Sequence, residues 1–199
     1  IFSHLKKTSM SQKKDCKFCK KKIDIFSFSC NYCLKIQDPF KINPFDLFKL
    51  EKKFEVNLEK LEDKYIDLQS TLHPDKFVQS PNEQKKLAGI HSSFVNDSYN
   101  LIKDTTSRIK ILLDLNGFVI PNEKSFNDVT MLEEIMTIQN KCMSVENEKE
   151  KKKIKDELKI QINKEKDKVS KFFKSKELKN VYKSSVKLSY LEKINSNLK

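Results

Sequence analysis

Leu58, Leu61, Tyr65, Leu68 and Leu72 recur at the i, i+3, i+4 spacing of one helix face, and Glu59, Lys60, Glu62, Asp63, Lys64 and Asp67 fill the positions between them. That pattern predicts an amphipathic helix with Asn57 as its N-cap. Pro74 stops it near His73, because the residue before a proline is driven out of the α region. A second helix is expected to start in Ser80-Pro81-Asn82-Glu83, which combines a capping box with proline at the first helical position. Its apolar face reads Leu87, Ile90, Phe94, Val95, Tyr99 and Ile102. Residues 45–50 read as a short helix ahead of both. Residues 45–103 are therefore expected to form a short helix followed by an antiparallel hairpin whose loop carries His73-Pro74-Asp75.

Further along, Leu132, Ile135, Met136 and Ile138 recur at helical spacing, and a charged stretch runs over residues 146–159. Apolar positions from Ile160 through Val169, Phe172, Val181, Tyr182, Leu188 and Leu191 to Ile194 predict at least one more long helix. Residues 126–198 are thus expected to form an antiparallel helical bundle. The charged stretch is either a coiled-coil arm or a solvated helix, and its unsustained heptads favour the latter. Cys142, alone in a helical pattern, reads as a small buried apolar residue.

Composition narrows the choices. The chain has 199 residues, 2 glycines and 34% charged residues. So few glycines cannot supply the turns of a many-stranded barrel or a glycine-rich phosphate loop. Lysine interrupts every apolar stretch before the ~18 residues a membrane span needs. The net charge of +12 sits at the two ends: residues 1–44 hold ten lysines against three acids, residues 45–103 are nearly neutral, and residues 104–199 are basic again. A lysine-biased set of solvated faces explains this, and attraction to an acidic partner is the other account. Arg108 is the only arginine, which weakens a nucleic-acid reading. The chain begins Ile1-Phe2-Ser3-His4, which reads as a processed or trimmed end.

Residues 1–44 lack helical periodicity and carry Cys16-Lys17-Phe18-Cys19 and Cys30-Asn31-Tyr32-Cys33. Two CxxC turns each aim two thiolates at one ion, and together they complete a tetrahedral sulfur shell for one structural zinc per chain. A segment this short buries little apolar surface and needs a cross-link to hold a shape. Disulfide pairing of the same four cysteines is the alternative. No nucleophile with a plausible base and no paired carboxylates in a catalytic frame are visible, so the chain reads as a binding protein and not an enzyme. Taken alone, His73 beside Asp75 is explained by turn chemistry, and His91 reads as a packed or partly exposed helix residue.

In context these features resemble a known family. Residues 68–77, reading Leu-Gln-Ser-Thr-Leu-His-Pro-Asp-Lys-Phe between two amphipathic helices, resemble the J domain of chaperone partners. Residues 45–48 and 95–101 are similar to one branch, the iron-sulfur co-chaperones of the HscB/Jac type. Residues 108–118 resemble that branch's linking helix with its closing glycine, residues 187–194 resemble its last helix, and the double CxxC resembles the zinc knuckle of its metazoan-type members. The resemblance implies an all-α fold in three parts: a knuckle and linker over 1–44, a J domain and linking helix over 45–118, and a scaffold-binding bundle over 119–199. It implies that His73, Pro74 and Asp75, with Lys60 and Lys64, engage a DnaK-type mitochondrial chaperone and stimulate its ATPase. Acidic neighbours such as Glu59 and Asp63 dilute the basic face common in the family. Leu132, Met136 and Tyr190 fall where the family contacts the scaffold on which iron-sulfur clusters are built, and Glu133 stands where bacterial relatives are apolar. A setting in the mitochondrial matrix or a related organelle and a weak homodimer are further expectations, with no nucleic acid and no membrane among the partners. The competing readings are a J protein of general quality control and a basic, zinc-bearing nucleic-acid-binding factor.

Overall fold

The structure is a computed structural model and describes residues 12–121 and 128–198. His4 and the first residues, read above as a trimmed end, lie outside the described residues, as do the first residues assigned to the bundle, 126–127. The chain divides into two compact units, Ile1–Asp104 and Thr105–Lys199. Among the described residues no helix is long and apolar enough to cross a membrane.

The first unit opens with two three-residue strands, β1 (Lys13–Asp15) and β2 (Lys22–Asp24), paired antiparallel with Lys14 opposite Ile23. Helix α1 (Pro44–Leu47) follows, with the Asn43 side chain accepting from the Asp46 N–H at 3.0 Å. Helix α2 (Leu58–Leu72) starts at the expected cap, Asn57 Oδ1 accepting from the Lys60 N–H at 2.9 Å. A 3-10 turn (Pro74–Phe77) leads to helix α3 (Asn82–Lys103). The start of α3 differs from the expected capping box: Pro81 is the N-cap, without a side-chain hydrogen bond, and Glu83 turns away to Lys17 at 2.7 Å.

The hairpin core is Phe45, Phe48, Leu61, Leu72, Leu87, Val95 and Ile102, all buried. Each such side chain contributes about 1.5–3 kcal/mol relative to exposure. Ile90, assigned to this core by periodicity, is exposed instead; the buried face of α3 is rotated toward Gln84, Ala88, His91 and Ser98. Gln84 and His91 are buried there with backbone partners at Ile36 and Gln37, and a further polar seam joins α3 to α2. Gln69 Nε2 donates to Asn96 Oδ1 (2.6 Å) and to the Ser92 carbonyl (3.0 Å), while Ser92 Oγ donates to Gln69 Oε1 (2.8 Å). Tyr65 donates to Asn96 at 2.8 Å and stacks on Tyr99 at 4.3 Å between centroids. A satisfied polar seam of this kind fixes the register of two helices more tightly than aliphatic packing alone.

His91 Nε2–H donates to the Gln37 carbonyl at 2.9 Å beneath the rings of Phe28 and Phe40. Burial holds its pKa below the ordinary histidine value and Lys14 adds to that, against the Gln37 carbonyl and Asp38, which favour the charged ring. The unfolded chain therefore binds a proton near pH 6.5 that the folded one resists, so stability is full above that pH and is lost as pH falls below it. Thermal melts at pH 7.5 and 5.5 check this: wild type should lose more melting temperature on acidification than His91→Phe.

The second unit contains α4 (Thr105–Leu115), α5 (Val129–Met143), α6 (Glu148–Lys174) and α7 (Leu178–Asn197). Helix α4 is the linking helix that the resemblance groups with the J domain. Its packing partner is α7, and Gly117 at φ +76° closes it while the Phe118 N–H returns to the Leu113 carbonyl at 2.9 Å. Helix α7 is central, packing on α4, α5 and α6 through Val181, Leu188 and Leu191. The charged stretch is the first half of α6, a helix with one apolar stripe of Ile154, Leu158, Ile162 and Val169 against its neighbours. Cys142 is half-buried, and burial raises its thiol pKa.

Candidate functional site

Helix α2 ends because His73 leaves the helical region (φ −57°, ψ 130°) ahead of Pro74, although its N–H still reaches the Gln69 carbonyl at 2.9 Å. The chain then turns through Pro74–Phe77, with the Lys76 N–H bonded to the His73 carbonyl at 3.0 Å. The His73 side chain is 55% exposed and that of Asp75 is 85% exposed. They face each other: His73 Nδ1 accepts from the Asp75 N–H at 3.4 Å and lies 3.5 Å from Asp75 Oδ2. Neither side chain closes the core, so the hairpin presents them as a rigid polar tip, and Pro74 limits the backbone freedom that docking would have to remove.

Lys60 and Lys64 lie one turn apart on α2, Lys60 exposed and Lys64 partly covered. Lys64 has a task the sequence did not reveal: its Nζ donates to the Lys49 carbonyl at 2.9 Å, where Lys49 holds a positive φ of 49°. It ties down the α1–α2 loop as well as carrying charge.

The four cysteines of the two CxxC turns converge, with all their sulfurs within 4.8 Å of one another. Cys16 Sγ lies 3.7 Å from Cys33 Sγ, and Cys19 Sγ lies 3.6 Å from Cys30 Sγ. A regular tetrahedron with ~2.3 Å metal–sulfur bonds has edges of about 3.8 Å, whereas a disulfide needs about 2.0 Å. The spacing therefore fits a four-thiolate metal shell and not two disulfides. Each turn closes with a residue in the left-handed region, Lys20 and Leu34 at φ 60°, which lets backbone N–H groups point at sulfur. Phe18 and Cys19 N–H groups reach Cys16 Sγ at 3.4 and 3.5 Å, and Tyr32 N–H reaches Cys30 Sγ at 3.4 Å.

Burial opposes ionisation of Cys16, but the N–H groups of Cys19 and Phe18 outweigh it and bring the thiol to about 6. Burial also opposes ionisation of Cys30, and the Cys33 and Tyr32 N–H groups again prevail and lower it. At Cys19 the Lys21 N–H favours the thiolate, yet burial and the three neighbouring thiols push it up to about 11. The first cysteine of each turn is thus shifted toward its thiolate, and a cation would be needed to hold all four sulfurs deprotonated. These residues could hold a metal ion, and the donor set suits zinc.

In the second unit, Met136 is 61% exposed and Tyr190 is 41% exposed, although both are large apolar side chains on packed helices. Leu132 is half-buried one turn before Met136, and Ile135 between them is buried against the bundle. On the opposite side of α5, Glu134 pairs with Lys187, which also lies 3.9 Å from the buried Glu165 carboxylate.

Sequence reasoning missed Gln84 and, though it reads His91 as a packed or partly exposed helix residue, the partner that His91 meets. Gln84 binds both backbone groups of Ile36, at 2.7 and 3.3 Å, and His91 binds the next residue. The available signal was their position: Gln84, Leu87, His91 and Val95 follow the apolar period of α3, and polar residues on such a face imply specific partners.

Comparison with known proteins agrees with this architecture. A family model described as the HSCB C-terminal oligomerisation domain matches residues 127–199. The human iron-sulfur cluster co-chaperone protein HscB is 31% identical over 174 residues, covering 86% of this chain and 74% of the human one. An Arabidopsis thaliana HscB homologue is 27% identical over 165 residues, covering 82% of this chain and 66% of that one. The crystal structure of human HscB superposes with a TM-score of 0.84 at 29% identity, over 93% of this chain and 96% of that structure. HscB from Vibrio cholerae shares the fold, with a TM-score of 0.71 at 22% identity over 79% of this chain and 95% of that structure. With an exposed His-Pro-Asp tip on one unit, the family's C-terminal domain in the other and a human relative matched over most of its length, the chain belongs to the HscB/Jac family of J-type co-chaperones.

Proposed function

We propose that this protein is a co-chaperone of iron-sulfur cluster assembly that stimulates ATP hydrolysis by a DnaK-type chaperone and delivers the cluster scaffold to it, in a mitochondrion or related organelle. The observation that carries the first half is the solvent-facing His73-Pro74-Asp75 triplet at the tip of a hairpin locked by the Gln69–Ser92–Asn96 seam. A tip already ordered before docking loses little conformational entropy on binding, so contacts with the chaperone translate into affinity for its hydrolysis-competent state. Lys60 adds attraction to an acidic chaperone surface, and Lys64 contributes while its ammonium anchors the loop.

The scaffold half rests on the family and on the exposure of Met136 and Tyr190. Holding chaperone and scaffold on one chain raises the effective concentration of each near the other, which speeds transfer without any catalytic group. Zinc held by Cys16, Cys19, Cys30 and Cys33 would act as a structural cross-link, since four protein sulfurs leave no open position for substrate.

The patch makes a separable prediction. Replacing Leu132, Met136 and Tyr190 with alanine should weaken scaffold binding by ~10-fold or more, at least about 1.4 kcal/mol. Chaperone stimulation in the absence of scaffold should remain. Were the three residues core, the same change would cost several kcal/mol of stability, since each buried large-to-small substitution costs ~2–5 kcal/mol. Calorimetry of scaffold binding beside a thermal melt of the variant tells the two apart. A large loss of melting temperature with unchanged affinity in the folded fraction would return them to the core.

A further inference from the structure

The knuckle is not tethered beside the hairpin; it is built into it. Gln84, buried in the first turn of α3, accepts from the Ile36 N–H at 2.7 Å and donates to the Ile36 carbonyl at 3.3 Å, pairing with both backbone groups as a neighbouring strand would. Two turns later His91 donates to the carbonyl of Gln37. The Gln37 side chain in turn accepts the N–H of Lys17, inside the Cys16–Cys19 turn, at 3.2 Å. At the surface, Lys17 Nζ reaches Glu83 at 2.7 Å. An unbroken chain of contacts thus runs from a metal-ligating turn to the start of α3, which lacks a side-chain cap of its own and begins a few residues after the His73 loop.

We propose that metal binding at the four cysteines and the order of the first turns of α3 are thermodynamically linked through Gln84, so that the knuckle is a metal-dependent brace on the chaperone-docking hairpin. Groups behind the ligands that hold a ligating loop in place commonly set metal affinity. Linkage is reciprocal: if the metal orders α3, then α3 raises the affinity for the metal by the same factor. A glutamine 48 residues from Ile36 in sequence, and not itself a ligand, then helps to determine how tightly the cysteines hold their ion. For its consequence in the chaperone cycle the inference rests on the co-chaperone reading; the linkage itself does not.

The test uses the full chain loaded with zinc. In competition with a chromophoric chelator, Gln84→Ala should hold zinc roughly tenfold more weakly than wild type, the scale of one or two hydrogen bonds. Lys85→Ala, on the exposed side of the same turn, should match wild type. In the wild-type protein, removing zinc should speed amide exchange over residues 82–91 by about tenfold while the end of α3 changes little. That measurement needs no variant to fold. Unchanged zinc affinity in Gln84→Ala, or identical exchange of residues 82–91 with and without zinc, would overturn the linkage. Zinc-loaded wild type that fails to stimulate a matched DnaK-type chaperone would instead remove the co-chaperone reading, whatever the exchange shows.

Discussion

His73→Gln or Asp75→Asn is expected to abolish stimulation of the partner chaperone's ATPase while leaving the protein folded. Both side chains project from the hairpin tip, and their mutual contacts are local: the Asp75 N–H to His73 Nδ1 and the approach of Nδ1 to Oδ2. The one cap at stake is the long 3.4 Å bond from the Asp75 N–H to His73 on an exposed 3-10 turn, and exposed substitutions that bury no charge typically shift stability by less than about 0.5 kcal/mol, so melts of the variants should stay close to wild type. Single-turnover hydrolysis should fall to the rate of the chaperone alone. A substitution in the seam makes the contrast. Gln69→Ala removes the side-chain partner of buried Ser92 and one of the two donors to half-buried Asn96, which should cost about 1–3 kcal/mol and lower activity only in proportion to unfolding.

Removing the metal ligands is expected to have the second large effect. Cys19→Ser with Cys33→Ser leaves two thiols on separate turns, too few to complete a tetrahedral shell. Structural zinc in comparable peptides supplies about 10–16 kcal/mol of apparent binding energy, and the apolar core of the knuckle beyond its cysteines amounts to little more than Ile23 and Phe18. Residues 12–37 should therefore lose their fold, while the helices of both units persist because their cores lie elsewhere, with only the first turns of α3 loosened. Elemental analysis should fall from one zinc per chain to near zero. Finding no zinc in wild-type protein prepared under reducing, chelator-free conditions would end the metal assignment.

What the sequence made legible was mostly local. The amphipathic period of α2, its Asn57 cap and its stop at Pro74 depend on neighbours within a turn or two, and the structure keeps the cap, the stop and the buried face at Leu61 and Leu72, while Leu58 at the helix start is exposed. The two CxxC turns were equally readable, since ligand spacing within a turn dictates where both sulfurs point. The errors arose where a distant partner decides the outcome. The local pattern makes Glu83 half of a capping box, yet Lys17 takes its carboxylate from 66 residues away. Apolar periodicity puts Ile90 in the core and leaves Gln84 out of it, because it carries no information about the Ile36 backbone that Gln84 pairs. In the sequence Lys64 is a charge alone, and only the folded loop shows the Lys49 carbonyl that it binds. Helix α4 packs on α7, far along the chain, a contact that no local pattern in its own residues announces.

The most direct measurement is ATP hydrolysis by the matched mitochondrial DnaK-type chaperone, followed with the purified chain alone and then with the cluster scaffold added. The account predicts that the chain accelerates hydrolysis, that adding scaffold accelerates it further, and that the second increment disappears in the Leu132, Met136, Tyr190 alanine variant while the first remains. Hydrolysis at the unstimulated rate, with or without scaffold, would contradict it.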